Sequence, residues 1–197
     1  MNNIKIKDLK LRINKFVDKQ TCDNFIKLYE NNSTLSEKES SYKYISKKRE
    51  EDNFKCISLS KMCNKSKELN DAFLLAADII GEVVRQYESY IQKNVLSTYE
   101  ARSICYTENI RILKYSKGQC IKDHTDVGGT YRGSCTINLN ENYEGGEFRF
   151  FNGQIKETLK TGDCLFFPAE PIWIHGTEPI TKGTRYSINC FLGEKNV

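Results

Sequence analysis

Residues 134–151 read SCTINLNENYEGGEFRFF. The apolar-rich runs Ser134–Leu139 and Glu147–Phe151 are separated there by polar residues and by the pair Gly145-Gly146. Short apolar runs bounded by Gly and Asn are typical of β-strands joined by turns. The pattern continues on both sides in four more runs, Ile110–Tyr115, Asp163–Phe167, Ile172–Ile174 and Arg185–Leu192. Many short strands at regular spacing predict an all-β sandwich or jelly roll in this half of the chain.

The N-terminal half carries helical periodicity instead. From Glu68 to about Gln92 the apolar residues recur three or four positions apart, which predicts a long amphipathic helix. Thr21 is the predicted N-cap of a shorter helix. Partial alternation in Ile4–Val17 predicts an early strand, and the polar residues 31–53 predict a mobile loop.

These patterns predict a mainly β fold with N-terminal helices. Residues 1–100 form a helical and strand support region, and residues 101–197 form the jelly-roll core. A chain of 197 residues suits one integrated domain with a sizeable buried core.

Composition excludes several classes of protein. The net charge of +4 is spread along the chain, so a concentrated nucleic-acid-binding face is not predicted. The eight cysteines include no CxxC pair, and Met1–Lys10 has no apolar stretch suited to a signal peptide. We therefore expect reduced thiols, a cytoplasmic location and no membrane partner, since no apolar run is long enough to span a bilayer.

The chain has two histidines, and both fall in a pattern suited to metal binding. His124 and Asp126 form a His-x-Asp motif, and His175 follows much later. Two imidazoles and one carboxylate on one face of an octahedron suit non-haem Fe(II), because the opposite face stays open for reactants. His124, Asp126 and His175 are therefore the predicted metal ligands and catalytic centre. A single histidine, taken alone, is more often a packed or surface residue.

Other residues in the predicted strands indicate a binding site for a carboxylate. Arg185 begins an apolar strand and can bind a carboxylate with two parallel hydrogen bonds. Ser187 shares its face of the strand and can donate to the same group, and Tyr115 can reach the same pocket. Trp173 faces either this pocket or the ordinary core, and the sequence leaves both readings open.

With these residues in view, Ile110–Leu192 resembles the catalytic domain of the prolyl and lysyl hydroxylases. The Tyr-x-x-Gly-Gln run that starts at Tyr115 and leads into His-x-Asp is similar to the prolyl 4-hydroxylases. The block from Thr136 to Phe150 is similar to the lysyl hydroxylases. The order then continues with Lys160-x-Gly-Asp, Phe166-Phe167, His175 and Lys182-Gly-Thr-Arg-Tyr.

This resemblance implies a double-stranded β-helix, a cupin-type jelly roll. It also implies Fe(II), O2 and the co-substrate 2-oxoglutarate, with ascorbate as a further possible cofactor, and release of succinate and CO2 as a C–H bond is hydroxylated. Arg185, Ser187 and Tyr115 then bind the co-substrate. Asn138 is named with them as a co-substrate residue, and it departs from the hypoxia-type relatives, which carry a co-substrate-binding tyrosine at its position.

The predicted substrate is a prolyl side chain of a protein or peptide, with lysyl almost as well supported. Gly128–Gly133 and residues 31–53 are the predicted lid over that substrate. Three alternatives remain: oxidative demethylation of nucleic acid, hydroxylation of a small metabolite, and a non-catalytic cupin-like binding module. The absence of a basic cluster disfavours the first, and the intact metal and co-substrate residues disfavour the last. The oligomeric state is not predicted.

Overall fold

The computed structural model describes residues 4–43, 48–51, 53–99, 104, 106–126 and 130–193. Its helices are α1 (Lys19–Asn31), α2 (Leu59–Met62) and α3 (Lys67–Asn94), with short 3-10 turns at Ile6–Leu9, Ser33–Leu35 and Cys63–Lys65. Within these ranges no helix combines the length and apolarity that crossing a membrane requires.

The strands are β1 (Leu11–Ile13), β2 (Ser40–Lys43), β3 (Lys48–Glu51), β4 (Lys55–Ser58), β5 (Tyr106–Tyr115), β6 (Tyr131–Asn138), β7 (Glu144–Gly145), β8 (Phe148–Phe150), β9 (Ile155–Glu157), β10 (Cys164–Pro168), β11 (His175–Thr177), β12 (Ile180–Lys182) and β13 (Arg185–Gly193). Six of them form an antiparallel sheet in the order β1-β10-β6-β13-β5-β4. A three-stranded sheet, β11-β8-β9, and a pair, β12-β7, complete the jelly roll.

The two faces of the large sheet bury different cores, because side chains alternate along each strand. On β10, Cys164 and Phe166 pack with the apolar faces of α1 and α3. Leu165 and Phe167 point the other way, into a cluster with the aromatic residues of β8 and with Trp173. The helices thus cover the outer face of the sheet, and the inner face lines the interior of the roll. The predicted fold class is confirmed.

Most predicted elements are present. The long helix spans Lys67–Asn94, and its N-cap Ser66 accepts a hydrogen bond from the Leu69 N–H. The predicted N-cap at Thr21 is wrong by three residues. Asp18 caps α1, since its carboxylate accepts both the backbone N–H and the hydroxyl of Thr21.

The prediction of an early strand over Ile4–Val17 is only partly right, since β1 is confined to Leu11–Ile13. The predicted run Ile172–Ile174 is not a strand. A turn closes there, with the Trp173 N–H bound to the Glu170 carbonyl and Pro171 inside it, and β11 starts at His175.

The prediction of one continuous loop over residues 31–53 is also wrong. A 3-10 turn and the antiparallel pair β2–β3 occupy much of it, while residues 44–47 and 52 lie outside the described residues. Polar sequences can form such a hairpin, because the backbone ladder needs no apolar side chain.

Candidate active site

Three side chains of the kind that bind metals meet at the β11 edge of the three-stranded sheet, which is called the small sheet below. His124 and His175 face each other as an antiparallel bridge, and each backbone N–H donates to the other residue's carbonyl at 2.9 Å. Asp126 lies beside them, with Oδ1 3.1 Å from His124 Nε2 and Oδ2 3.3 Å from His175 Nε2. Potential ligand atoms of all three residues lie within 4.8 Å of one another, so this cluster could hold a metal ion.

Each imidazole is oriented by a carbonyl two residues earlier in the chain. His124 Nδ1 lies 2.8 Å from the Lys122 carbonyl oxygen, and His175 Nδ1 lies 2.9 Å from that of Trp173. A proton on Nδ1 then donates to the carbonyl and leaves Nε2 free to bind a metal. The aromatic ring of Phe167 packs edge-on against His175, with 4.6 Å between centroids, so this imidazole has little rotational freedom.

Asp126 is held as a carboxylate. Its side chain is only 6% exposed, and burial alone would raise the pKa of the carboxyl. The adjacent His175 and His124 outweigh burial and hold that pKa well below its ordinary value. The Ser134 hydroxyl donates to Asp126 Oδ2 at 2.5 Å. The cluster thus offers a carboxylate oxygen and two imidazole nitrogens as potential ligand atoms.

The segment that carries His124 is fixed to the small sheet. Arg149 on β8 donates from Nε to Asp123 Oδ1 at 2.9 Å and from Nη1 to Glu178 Oε2 at 3.1 Å. Gly176 allows this close approach, because a Cβ there would lie 2.6 Å from Asp123 Oδ1. Sequence reasoning missed these contacts, since charged residues on separate strands carry no local signal of pairing.

Arg185 lies at the other end of the interior. It is 2% exposed, and its Nε donates to Asn138 Oδ1 at 2.9 Å. Its guanidinium carbon lies 5.3 Å from the centre of the Tyr115 ring, and the two residues are register partners on β13 and β5. Among the residues that the structure describes, no carboxylate forms an ion pair with Arg185. A buried cation of this kind is suited to an anionic ligand.

The other predicted co-substrate residues adjoin Arg185 but have partners within the protein. Asn138 accepts from Arg185 and from the Tyr143 hydroxyl, and its amide donates to two backbone carbonyls. Ser187 shares the inner face with Arg185, yet its hydroxyl donates to Asn189 Oδ1 at 2.9 Å. Direct contact of Asn138 and Ser187 with a co-substrate stays a prediction. Asn189 was missed, although the two-residue period of β13 places it on this same face.

Trp173 belongs to the core. It is 2% exposed, and its ring packs edge-on against Phe150, with 5.6 Å between centroids. Of the two readings that the sequence left open, the structure supports the core one, with the Trp173 carbonyl orienting His175.

Residues 110–193 match the family model of the 2OG-Fe(II) oxygenase superfamily. The match includes His124, Asp126, His175 and Arg185, although it covers less than half of the chain. The resemblance inferred from the sequence motifs is therefore confirmed. No curated protein sequence matches this chain.

Solved structures resemble it over nearly its whole length. One is a prolyl hydroxylase from Trichoplax adhaerens in complex with a hypoxia inducible factor oxygen degradation domain peptide fragment, with a TM-score of 0.67 and 15% identity, over 95% of this chain and 84% of that one. A second is the viral collagen prolyl hydroxylase of Paramecium Bursaria Chlorella virus-1 in its 2OG complex, with a TM-score of 0.60 and 15% identity, over 95% and 97% of the two chains.

A third is a prolyl-4-hydroxylase from Pseudomonas putida, with a TM-score of 0.62 and 15% identity, over 97% of both chains. At this level of identity the three structures establish the jelly-roll fold, and what they act on is a property of those proteins.

Proposed function

We propose that this chain is an Fe(II)- and 2-oxoglutarate-dependent dioxygenase that hydroxylates a prolyl side chain of a protein or peptide and releases succinate and CO2. One observation carries the proposal: a cluster of two imidazoles and a carboxylate shares the interior of one jelly roll with the buried cation Arg185. The family match over residues 110–193 supports the same chemistry.

The donor set fits Fe(II). His124 and His175 offer Nε2 atoms and Asp126 offers a carboxylate oxygen, which together cover one face of an octahedral ion. When bound there with 2-oxoglutarate, Fe(II) supplies the activation of O2. The protein's part is to hold the ligands rigidly and to exclude water, and the aromatic rings around His175 provide both.

Arg185 fits the far carboxylate of 2-oxoglutarate. Asn138 accepts a hydrogen bond from its Nε. The two terminal nitrogens of a guanidinium have the geometry to bind a carboxylate in a bidentate mode. On β6, Asn138 and Ser134 share the inner face and lie four residues apart, or about 13 Å along the strand. Ser134 contacts Asp126 at one end of this stretch and Asn138 contacts Arg185 at the other, and we propose that the dicarboxylate binds between the cluster and the guanidinium.

A peptide substrate is supported by two observations. The solved structures of similar fold are prolyl hydroxylases, one of them bound to a peptide fragment. The hairpin β2–β3 is connected to the interior face of the large sheet, because Glu39, just before it, forms an ion pair with the buried Arg111 of β5. We infer that this hairpin forms part of a lid over the substrate.

The other part of the predicted lid needs correction. Gly133 is no hinge, since it lies within β6, where a Cβ would come 2.4 Å from the Phe166 ring. Gly128 and Gly129 lie outside the described residues.

Peptide modification tests the substrate class. Proline-rich and lysine-rich peptides are incubated with the Fe(II)-loaded enzyme and 2-oxoglutarate, and mass spectrometry measures the gain of one oxygen. Oxygen on proline is the expected result, and oxygen on lysine would favour the lysyl branch. Methylated oligonucleotides and free amino acids in parallel reactions cover the alternatives. Demethylation without peptide oxidation would overturn the proposal.

His175→Ala tests the metal centre. We expect loss of Mn²⁺ binding in calorimetry and loss of succinate formation, because one of three ligands is removed from the cluster. Circular dichroism checks that the variant is folded. Normal turnover in a folded His175→Ala enzyme would contradict the assignment.

A further inference from the structure

The side chains of His124, Asp126 and His175 have different kinds of hydrogen-bond partner. The two imidazoles are oriented by the backbone carbonyls of Lys122 and Trp173. Asp126 is instead held by a side chain, through the 2.5 Å hydrogen bond from Ser134 Oγ to its Oδ2. Substitution of Ser134 can therefore remove a contact that holds the Asp126 carboxylate in place.

Ser134 lies on a rigid element, whereas Asp126 does not. Ser134 is 4% exposed within β6, and its register partners are Phe167 on β10 and Phe191 on β13. Asp126 lies outside any strand. Because both register partners are aromatic, neither offers a hydroxyl or amide to replace Ser134. The bond thus connects the irregular segment that carries the carboxylate to the central sheet.

We propose that Ser134 is a positioning residue that determines which oxygen of Asp126 binds the metal. This inference rests on the proposed metal site. A hydrogen bond to Oδ2 leaves Oδ1 as the ligand oxygen and opposes rotation of the carboxylate into a bidentate mode. A bidentate carboxylate would take one of the positions that 2-oxoglutarate and O2 need. Ser134 therefore keeps the open face of the metal available.

The first test is metal affinity. Ser134→Ala removes the hydroxyl and should weaken Mn²⁺ and Co²⁺ binding by about 10- to 100-fold, the usual effect of losing a partner of a metal ligand. Ser134→Thr keeps the hydroxyl and should restore wild-type affinity. Thr136→Val is the matched control: it removes a buried hydroxyl from the same strand, but that hydroxyl binds Asn189 and not Asp126.

The second test is spectroscopic, and a merely structural role would not affect it. In the Co²⁺ form, Ser134→Ala should change the intensity and position of the visible absorption bands, because the carboxylate changes its mode of binding. Ser134→Thr and Thr136→Val should keep the wild-type spectrum. If Ser134→Ala fails to fold, Ser134→Cys keeps most of the volume with a weak donor and should show the same changes.

The outcomes separate this inference from the proposed function. Wild-type affinity and spectrum in Ser134→Ala, with binding lost in His175→Ala, would overturn the role of Ser134 alone. Unchanged metal binding in His175→Ala would overturn the metal site itself. Weakened binding in Thr136→Val equal to that in Ser134→Ala would also overturn the role of Ser134, since loss of any buried hydroxyl on β6 would then suffice.

Discussion

Arg185 is the residue on which we expect co-substrate binding to depend most. Its Nε is bound by Asn138 and the Tyr115 ring packs near its guanidinium, so the cation is held in one orientation. The order of the candidate residues, from Tyr115 through the two histidines to Arg185, was readable in the sequence. The partners of Ser187 and Asn138 were not, because alternation along a strand determines the face of a side chain and not what it binds.

Arg185→Ala should raise the KM for 2-oxoglutarate by more than about tenfold. Losing the partner of a buried carboxylate costs about 2–5 kcal/mol, which supports an effect at least that large. Arg185→Lys keeps the charge and should be milder. Steady-state kinetics and calorimetry of 2-oxoglutarate binding to the Mn²⁺ form measure both variants. An unchanged KM in Arg185→Ala would mean that another residue binds the carboxylate.

Strand β6 connects the two ends of the interior. Its inner face carries Ser134 beside Asp126 and Asn138 beside Arg185, while its outer face packs on the helices. The existence of this strand followed from its apolar run. Gly133 extends the strand beyond that run, and its close packing on the Phe166 ring depends on β10, a strand far away in the sequence.

Gly133→Ala should destabilise the fold by about 1–3 kcal/mol. The new methyl group would meet the buried Phe166 ring, and overpacking a dense core has a cost of this size. The control is Gly81→Ala within α3, where the nearest atom is 3.8 Å away, and there the helix should gain up to about 1 kcal/mol. Urea denaturation measures both, and equal stabilities for the two variants would refute the packing argument.

At the scale of the whole molecule, the N-terminal region completes the jelly roll. β1 and β4 form the two edges of the large sheet, and the long helix packs on its outer face. We propose on this basis that residues 1–100 and 101–197 fold as one integrated domain.

Buried Asp163, at the start of β10, accepts hydrogen bonds from Arg12 Nη2 and from the backbone N–H groups of Lys15 and Lys160.

Asp163 should make stability dependent on pH. Burial raises the pKa of its carboxyl, but these hydrogen bonds and the charge of Arg12 outweigh burial and leave that pKa below its ordinary value. The Asp163 carboxyl therefore binds a proton more readily in the unfolded chain than in the folded protein. Its contribution to the free energy of unfolding is present above about pH 4 and is lost as the pH falls through the pKa of the folded state.

Asp163→Asn should therefore be less stable at pH 7, by about 1–3 kcal/mol, and should lose less stability between pH 7 and pH 3. Thermal unfolding across that range provides the measurement. Asp23→Asn, which removes one partner of an exposed ion pair on α1, is the control and should change the stability at pH 7 by less than about 1 kcal/mol. If the stability of Asp163→Asn changed with pH in parallel with that of the wild type, this carboxylate would not link folding to pH.

The sequence by itself determined most of the secondary-structure elements and the order of the candidate site residues along the chain. Short apolar runs bounded by turn residues predicted most of the core strands, and a period of three to four residues predicted α3, because burial leaves both patterns within the segment itself. Only the tertiary structure decided that the polar residues Ser40–Glu51 include a hairpin, that Arg149 binds Asp123, and that Ser134 holds Asp126. Such contacts join segments that are distant in the chain, and no local pattern of hydrophobicity encodes which segments will pair.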